Sequence, residues 1–567
     1  MEASAEKHKR ILPGKLLVWF IVLCALSFLV IKRHQHTGYF NWRTELWGDP
    51  AGYYVYQPAL FLYDFKATRF PEKMDEKTGF GFTLERETDK VVTRYTYGVS
   101  LLQTPFFLII HAAAKLWGLK ADGFSGIYHW IPDIASIFYS LIGLFFLWHF
   151  LISRFNRQNA FWVLLSVFLG TNLIFYSTDN TGASHIYSFA LFAALLFLTH
   201  LLYREVPLRR RLIVVWSLLC SLVVLIRPTN AIFVAFLIFL DCHSLRDVRE
   251  RVRFFFRKPF FVIVPLAVFA VVLPQMLYWK YLCGKFIYDS YAGYGFTNWA
   301  SPQIKEFLFS TNNGMLLYNP LYLLVIAGTI LMLVRRIRNG AALFIMFWGM
   351  IYIFSSWFVF SFGCGFGSRN FVEYTTVFSL PLGYLYENSR ATLKKLKPLL
   401  IALSLLFILI NLKLFYSYNK CFEAGDWNFK EYAYLLQNSR YREKLLYLDD
   451  QRKLGSENEY SQGINIDLKE VSLVNFRRAV VAAVVKLDDP GNEARVVLTI
   501  EGKDSVIYWN GCVIRDLYKM DKLGTYQKII CDYWLPLHYS TDSRLLLYIW
   551  NSGKQNLEIS KLKIKLN

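Results

Sequence analysis

The sequence lacks the cysteine and glycine patterns that hold metal clusters and nucleotides. Its eight cysteines include no Cys-x-x-Cys pair, which excludes the usual zinc and iron–sulfur sites. The glycine-rich stretch "SFGCGFGSRN", residues 361–370, is not followed by the lysine of a P-loop. No internal repeat is visible either, whereas many transporters are built from repeats.

Acidic residues are outnumbered, 42 against 63 Lys and Arg, so the formal charge is +21. The chain is 55% hydrophobic with a mean hydropathy of +0.30, above the roughly 45–50% of soluble domains. Most basic residues occupy short connectors between apolar runs, an arrangement that orients a membrane protein. We therefore interpret the charge as a topology signal and not as a nucleic-acid surface.

Apolar runs of roughly bilayer-spanning length predict a polytopic α-helical membrane protein. Basic clusters follow every second run, which predicts about eleven transmembrane helices and a cytoplasmic N-terminus. The runs lie at 16–31, 128–153, 159–176, 184–203, 212–226, 229–240, 260–278, 316–334, 341–357, 371–386 and 398–418.

One further run, Tyr97 to Trp117, carries polar residues at helical spacing. We expect it to lie flat in the outer interface or to be re-entrant; the alternative is a true span paired with another span. With the interfacial placement, residues 1–418 form the transmembrane domain. Its outer segments are 32–127, 177–183, 279–315 and 358–370.

The C-terminal part has a different composition. Residues 419–465 are polar and predict a connecting helical segment, with a helix near Trp427–Leu436. Residues 466–567 contain short β-rich runs between turns, which predict a periplasmic antiparallel β-sandwich or jelly roll. Its Trp509, Trp534 and Trp550 are either sugar platforms or core. Cys512 and Cys531 are candidates for a disulfide, and the sequence leaves that pairing open.

Asp49 is the first residue with candidate chemistry. It stands in the long first outer loop, 32–127, among Trp42, Trp47, Tyr53 and Tyr54. Shielding by these rings would raise the proton affinity of the carboxylate and make it a general base. The aromatic residues would bind sugar rings, or would only anchor the loop at the interface. Asp49 before Pro-x-Gly is also a common turn former.

Three arginines at predicted outer positions, Arg94, Arg227 and Arg369, are candidates for binding a phosphate. Arg94 alternatively contacts lipid phosphate nonspecifically, and Arg227 alternatively pairs with an acid. His185, at the outer end of the span 184–203, is either a structural residue or a substrate contact. Tyr97, Lys280 and Tyr291 are further candidate substrate-binding residues in outer segments.

The acid after the first span, the long first outer loop and the motifs "GDPAGYY", "RYTYGVSLLQTPFF", "GTNLIFYSTDNTGASHIYSF" and "IRPTNAIF" resemble the C superfamily of glycosyltransferases. The layout is similar to the aminoarabinose transferases of lipid A and the protein O-mannosyltransferases. Where many relatives have an Asp-Glu pair, Asp49 is followed by Pro50. A single carboxylate weakens the case for a divalent cation.

The resemblance implies a bacterial inner-membrane enzyme that uses a polyprenyl-phosphate-linked sugar and a lipid, glycan or protein acceptor on the periplasmic side. Asp49 matches the acidic residue of the family's first outer loop and is the implied catalytic base, and no cofactor is expected. The alternative functions are a flippase or other transporter of lipid-linked sugars, or an O-antigen ligase-like protein.

Overall fold

The computed structural model divides the chain into a helical unit, Met1–Lys32 with Glu45–Gln437, and a β-unit, Arg33–Thr44 with Asn438–Asn567. It describes residues 13–34, 44–204, 209–291, 294–363, 365–387, 391–417, 429, 432–433, 436, 444–448, 452–455, 457–468, 478–503, 505–536 and 542–566. Most of the helix expected near Trp427–Leu436 lies outside these residues.

The helical unit begins with α1 (Pro13–His34) and continues through the first outer loop, which holds three short α-helices, a β-hairpin and α5. Its elements are α2 (Asp49–Tyr54), α3 (Tyr56–Phe61), α4 (Met74–Lys77), β1 (Thr83–Glu85), β2 (Lys90–Val92), α5 (Gly98–Leu116), α6 (Trp130–Ile152), α7 (Arg157–Leu169), α8 (Leu173–Thr178), α9 (Ser184–Leu202), α10 (Arg210–Ile226), α11 (Ala231–Phe239), α12 (Leu245–Phe255), α13 (Lys258–Cys283), α14 (Ile304–Phe309), α15 (Met315–Tyr318), α16 (Tyr322–Val334), α17 (Gly340–Ser355), α18 (Thr375–Glu387) and α19 (Ala391–Ser417).

Among the described residues, six helices are long and apolar enough to cross a membrane, and three shorter apolar helices accompany them. This confirms a mostly helical membrane protein, while the count of eleven spans stays a prediction. The run 159–176 is broken, because α7 ends at Gly170 and α8 starts at Leu173. Helix α5 is among the six by length and composition, so its interfacial placement also remains a prediction.

The first outer loop is fastened to α13 by hydrogen bonds. The hydroxyl of Tyr278 accepts a bond from the Thr93 backbone N–H at 2.9 Å and donates one to the Val91 carbonyl at 3.0 Å. The Tyr97 N–H donates to the side chain of Gln275 at 3.0 Å. These bonds hold the segment after β2, which carries Arg94 and Tyr95, in one place.

The β-unit contains two antiparallel sheets, ordered β5–β10–β7–β8 and β3–β11–β6–β9, with β4 pairing with β11. The strands are β3 (Lys444–Leu448), β4 (Arg452–Leu454), β5 (Ile464–Asp467), β6 (Arg478–Leu487), β7 (Arg495–Glu501), β8 (Val506–Val513), β9 (Gln527–Trp534), β10 (Arg544–Trp550) and β11 (Leu557–Leu566), with the short helix α20 (Ile514–Leu517) after β8.

Alternate residues of both sheets form one buried core, which includes Val481, Val485, Leu498, Leu547 and Ile564. The period of two is the reason that the sequence could be interpreted as strands. Strands β3 and β4 precede the predicted boundary at residue 466 and fall in the segment predicted to be helical. Cys512 and Cys531 form a disulfide between β8 and β9.

Candidate functional site

Asp49 is the first residue of α2, and close backbone contacts fix its position. A Cβ added at Gly81 would lie 2.0 Å from the Gly48 carbonyl oxygen, and one added at Gly182 would lie 2.5 Å from Pro50. Gly48 itself has a φ of +61°, a conformation that favours glycine. The start of α2 is therefore enclosed by two glycines that leave no room for a side chain.

The Asp49 carboxylate has two partners from distant parts of the chain. Arg369 Nη1 donates to Asp49 Oδ2 at 3.1 Å, across 320 residues of sequence. The Tyr95 hydroxyl donates to Asp49 Oδ1. The side chains of Asp49 and Arg369 are 41% and 23% exposed, so the pair is open to solvent on one side. A ligand can thus approach both charged groups.

The expected rise in the proton affinity of Asp49 is wrong for this arrangement. Burial acts to raise the pKa of Asp49, but the Arg369 guanidinium and the Tyr95 hydroxyl outweigh it and hold the pKa below its ordinary value. Trp42 lies outside the described residues, and the indole of Trp47 covers Gly79. Asp49 is therefore an ionised carboxylate in the free protein.

A second charged group surrounds Arg227. Glu373, 1% exposed, places Oε2 3.0 Å from His185 Nδ1 and Oε1 3.5 Å from Arg227 Nη1. Arg227 also lies 3.3 Å from His185 Nε2 and donates to Asn370 Oδ1. Among the described residues, the buried Asn370 Nδ2 has no acceptor. This cluster holds Arg227 in place and leaves one buried donor for a ligand.

Tyr291 connects the two groups electrostatically. Burial and the Asp49 charge raise the pKa of this phenol, whereas Arg227, Arg369 and Arg94 lower it. Its ring lies 6.4 Å from that of Tyr95. Each of the three arginines chosen from the sequence therefore influences the same phenol as Asp49 does.

Two of the remaining candidates line this region. The Tyr53 ring packs against the Tyr95 ring at a tilt of 44°, with ring centroids 4.5 Å apart. Burial raises the pKa of the Tyr53 phenol, which is hydrogen-bonded to Ser184. Arg94 is exposed, and its guanidinium lies 5.9 Å from the Tyr294 ring.

The structure gives the other three candidate substrate residues different surroundings. Tyr54 is fully buried and donates to the Gly123 carbonyl at 2.5 Å. Tyr97 donates to the Val271 carbonyl at 2.6 Å. The Lys280 ammonium lies 4.8 Å from the Phe286 ring. We assign the two tyrosines to packing, and none of the three enters the function proposed below.

Sequence reasoning assigned no role to Tyr95, Asn370 or Glu373. The sequence did contain a signal for Glu373, because it is an acidic residue within the predicted apolar run 371–386. An unpaired charge in such a run is costly. No short-range signal pointed to Tyr95, because its partner Asp49 is 46 residues away.

The donor set at Asp49 does not fit a divalent cation. Such ions prefer several oxygen ligands, whereas the Asp49 carboxylate contacts a guanidinium and a phenol.

No family model and no curated protein matches the sequence. The solved structures similar to it include ArnT from Cupriavidus metallidurans in the apo state, at 11% identity and a TM-score of 0.43, covering 75% of this chain and 68% of that one. Oligosaccharyltransferase AglB from Archaeoglobus fulgidus, in complex with an inhibitory peptide and a dolichol-phosphate, matches 71% of this chain at 14% identity and a TM-score of 0.39.

Arabinosyltransferase EmbB from Mycobacterium smegmatis matches 100% of this chain at 9% identity, with a TM-score of 0.29 and 65% of its own length covered. All three neighbours are glycosyltransferases of the C superfamily. The chain spans only 55% of AglB. TM-scores below 0.5 assign no role to any residue, so the function rests on the geometry of the site.

Proposed function

We propose that the chain is a membrane glycosyltransferase that moves a sugar from a polyprenyl-phosphate donor to an acceptor hydroxyl with inversion. The observation that carries this proposal is the pairing of Asp49 with Arg369 in a partly exposed site, where Arg94 and Arg227 also act on Tyr291. One acid and several arginines suit a reaction that takes up a proton and releases a phosphate.

The arginines bind the donor phosphate in this proposal. A guanidinium matches phosphate oxygens with two parallel N–H donors. Arg369 is fixed by Asp49, and Arg227 by Glu373 and Asn370, so both are oriented before the donor arrives. Negative charge builds up on the phosphate as the bond to the sugar breaks, and each preorganised donor there is worth about 3–4 kcal/mol.

Asp49 acts as the base. The acceptor oxygen forms a bond to the anomeric carbon and gives its proton to Asp49, while the bond between that carbon and the phosphate oxygen breaks with its electrons leaving on the phosphate. When a phosphate takes up the Arg369 donors, the attraction that lowers the Asp49 pKa weakens. Donor binding therefore makes the carboxylate more basic at the moment when a base is required.

We include inversion because Asp49, the carboxylate that contacts Arg369, serves as the base and not as a nucleophile. A double displacement needs a second carboxylate as nucleophile, and Glu373 is buried and paired with His185. A single displacement by the acceptor inverts the anomeric carbon. We place the site and the β-unit on the periplasmic side of a bacterial inner membrane, where polyprenyl-phosphate sugars would be presented, and we include no cofactor.

The test is transfer of a radiolabelled sugar from polyprenyl phosphate to the acceptor fraction by the purified chain in nanodiscs, with and without EDTA. Asp49→Asn should abolish transfer, and chelation should have no effect. The matched control is Asp64→Asn, because Asp64 pairs with Arg69 in the same loop and is 68% exposed. Equal transfer by Asp49→Asn and the wild type would refute the base.

A further inference from the structure

Four aromatic rings lie together on one sheet of the β-unit. The rings of Trp509 and Trp550 have centroids 6.4 Å apart, and those of Tyr460 and Tyr548 lie 5.9 Å apart. Tyr548 is hydrogen-bonded to Trp509, and Tyr460 forms a β-bridge with Trp550. We call this set the aromatic surface.

The aromatic surface faces away from the core. Thr499 pairs with Trp509 and Val497 pairs with Tyr548 across the strands, so these residues share a face that alternates with the buried Leu498. Although Val497 and Thr499 point away from the core, they are only 0% and 2% exposed. The rings therefore cover the strands beneath them as a second layer.

The rings are held in position, yet two of them remain open to solvent. Trp550 Nε1 donates to Glu459 Oε1 at 3.0 Å. Trp509 and Tyr460 are 47% and 54% exposed. Trp509 is thus held by its hydrogen bond with Tyr548 and is still about half exposed.

We propose that the aromatic surface binds a glycan, with sugar rings stacked on Trp509 and Tyr460. The apolar C–H face of a pyranose or furanose ring fits a flat aromatic ring, while its hydroxyl groups need polar partners at the edge. Arg495 pairs with Trp550 and Asn465 pairs with Leu546 on this same face, and both reach solvent. The inference concerns the β-unit alone and stands whether or not Asp49 is catalytic.

The experiment measures sugar binding by the full chain in phosphatidylcholine nanodiscs, which contain no sugar-headed detergent. Malto-, cello-, manno-, xylo- and arabino-oligosaccharides of five units are titrated by calorimetry. At least one should bind, and Trp509→Ala and Tyr460→Ala should each weaken it at least tenfold. Trp509→Phe keeps a ring and should retain most of the affinity, which separates lost stacking from misfolding.

The matched control is Tyr526→Ala. Tyr526 is 52% exposed, close to Tyr460, but its hydroxyl bonds to Glu558 of the other sheet. Its removal should leave sugar binding unchanged. The proposal is overturned if no oligosaccharide binds, or if Tyr526→Ala reduces binding as much as Tyr460→Ala. It is also overturned if nanodisc lipid shields Trp509 from acrylamide quenching, because the surface would then face the membrane.

Discussion

Asp49→Asn should bind polyprenyl phosphate more tightly than the wild type while it transfers no sugar. In the free protein the Asp49 carboxylate already occupies one Arg369 donor, since Asp49 Oδ2 lies 3.1 Å from Arg369 Nη1. An incoming phosphate has to compete with Asp49 for that donor. The substitution removes a negative charge next to the phosphate site and releases one guanidinium donor. Turnover and lipid affinity should therefore change in opposite directions.

The magnitude follows from the geometry. A phosphate on the far side of the Arg369 guanidinium would lie roughly 6–7 Å from the Asp49 carboxylate, a repulsion of about 0.6–2.6 kcal/mol at effective dielectric constants of about 80 to 20. Asp49 is 41% exposed, so screening favours the lower part of this range. About 1 kcal/mol corresponds to roughly fivefold tighter binding.

The assay is calorimetric titration of polyprenyl phosphate into nanodisc-embedded protein at low and high salt. Asp64→Asn, which removes an exposed charge of the same loop, should leave the affinity unchanged. The gain for Asp49→Asn should shrink as salt is added. Weaker binding by Asp49→Asn than by wild type would refute the reasoning, because it would show that Asp49 attracts the ligand.

Three further predictions concern the surroundings of Asp49. Tyr95→Phe removes a hydrogen bond that lowers the Asp49 pKa, so the acid limb of the kcat/KM profile should move to higher pH. The rate near pH 7 should change little, because the carboxylate stays ionised at any pH above its pKa. An acid limb that does not move would contradict the assignment of Asp49 as the base. Glu373→Ala leaves Arg227 and His185 without their buried acid and should lower the free energy of unfolding by about 3–5 kcal/mol, measured by thermal unfolding. An unfolding free energy equal to that of the wild type would show that the cluster is not an ion pair. Gly81→Ala would place Cβ 2.0 Å from the Gly48 carbonyl oxygen, so sugar transfer should fall strongly. The control Gly349→Ala, whose Cβ would meet nothing within 4 Å, should keep wild-type activity. Equal transfer rates for the two variants would disprove the close contact.

Composition and periodicity predicted the broad architecture. Long apolar helices and alternating C-terminal strands are local features, and both occur in the structure. The number of spans was harder to predict, since an apolar run does not show where its helix ends. The run 159–176 is interrupted at Gly170, and α16 is a 13-residue helix within the run 316–334.

The candidate site was only partly predictable. Charged residues at the predicted outer ends of apolar runs are few, so Asp49, Arg227 and Arg369 could be chosen from their positions. Their pairing was not visible, because Asp49 and Arg369 are 320 residues apart. That pairing also reverses the expected pKa shift of Asp49, since the Arg369 guanidinium and the Tyr95 hydroxyl together outweigh the desolvation that aromatic neighbours predicted.

The central claim is that Asp49 and the arginines act on the same donor molecule, Asp49 as the base and the arginines as the phosphate site. A cryo-EM structure of Asp49→Asn with a polyprenyl-phosphate-linked sugar in nanodiscs tests it most directly. We expect the phosphate of this donor to contact Arg369 and at least one of Arg94 and Arg227, with residue 49 on the side of the anomeric carbon where the acceptor attacks. A phosphate bound elsewhere, out of reach of Arg369, would contradict the account.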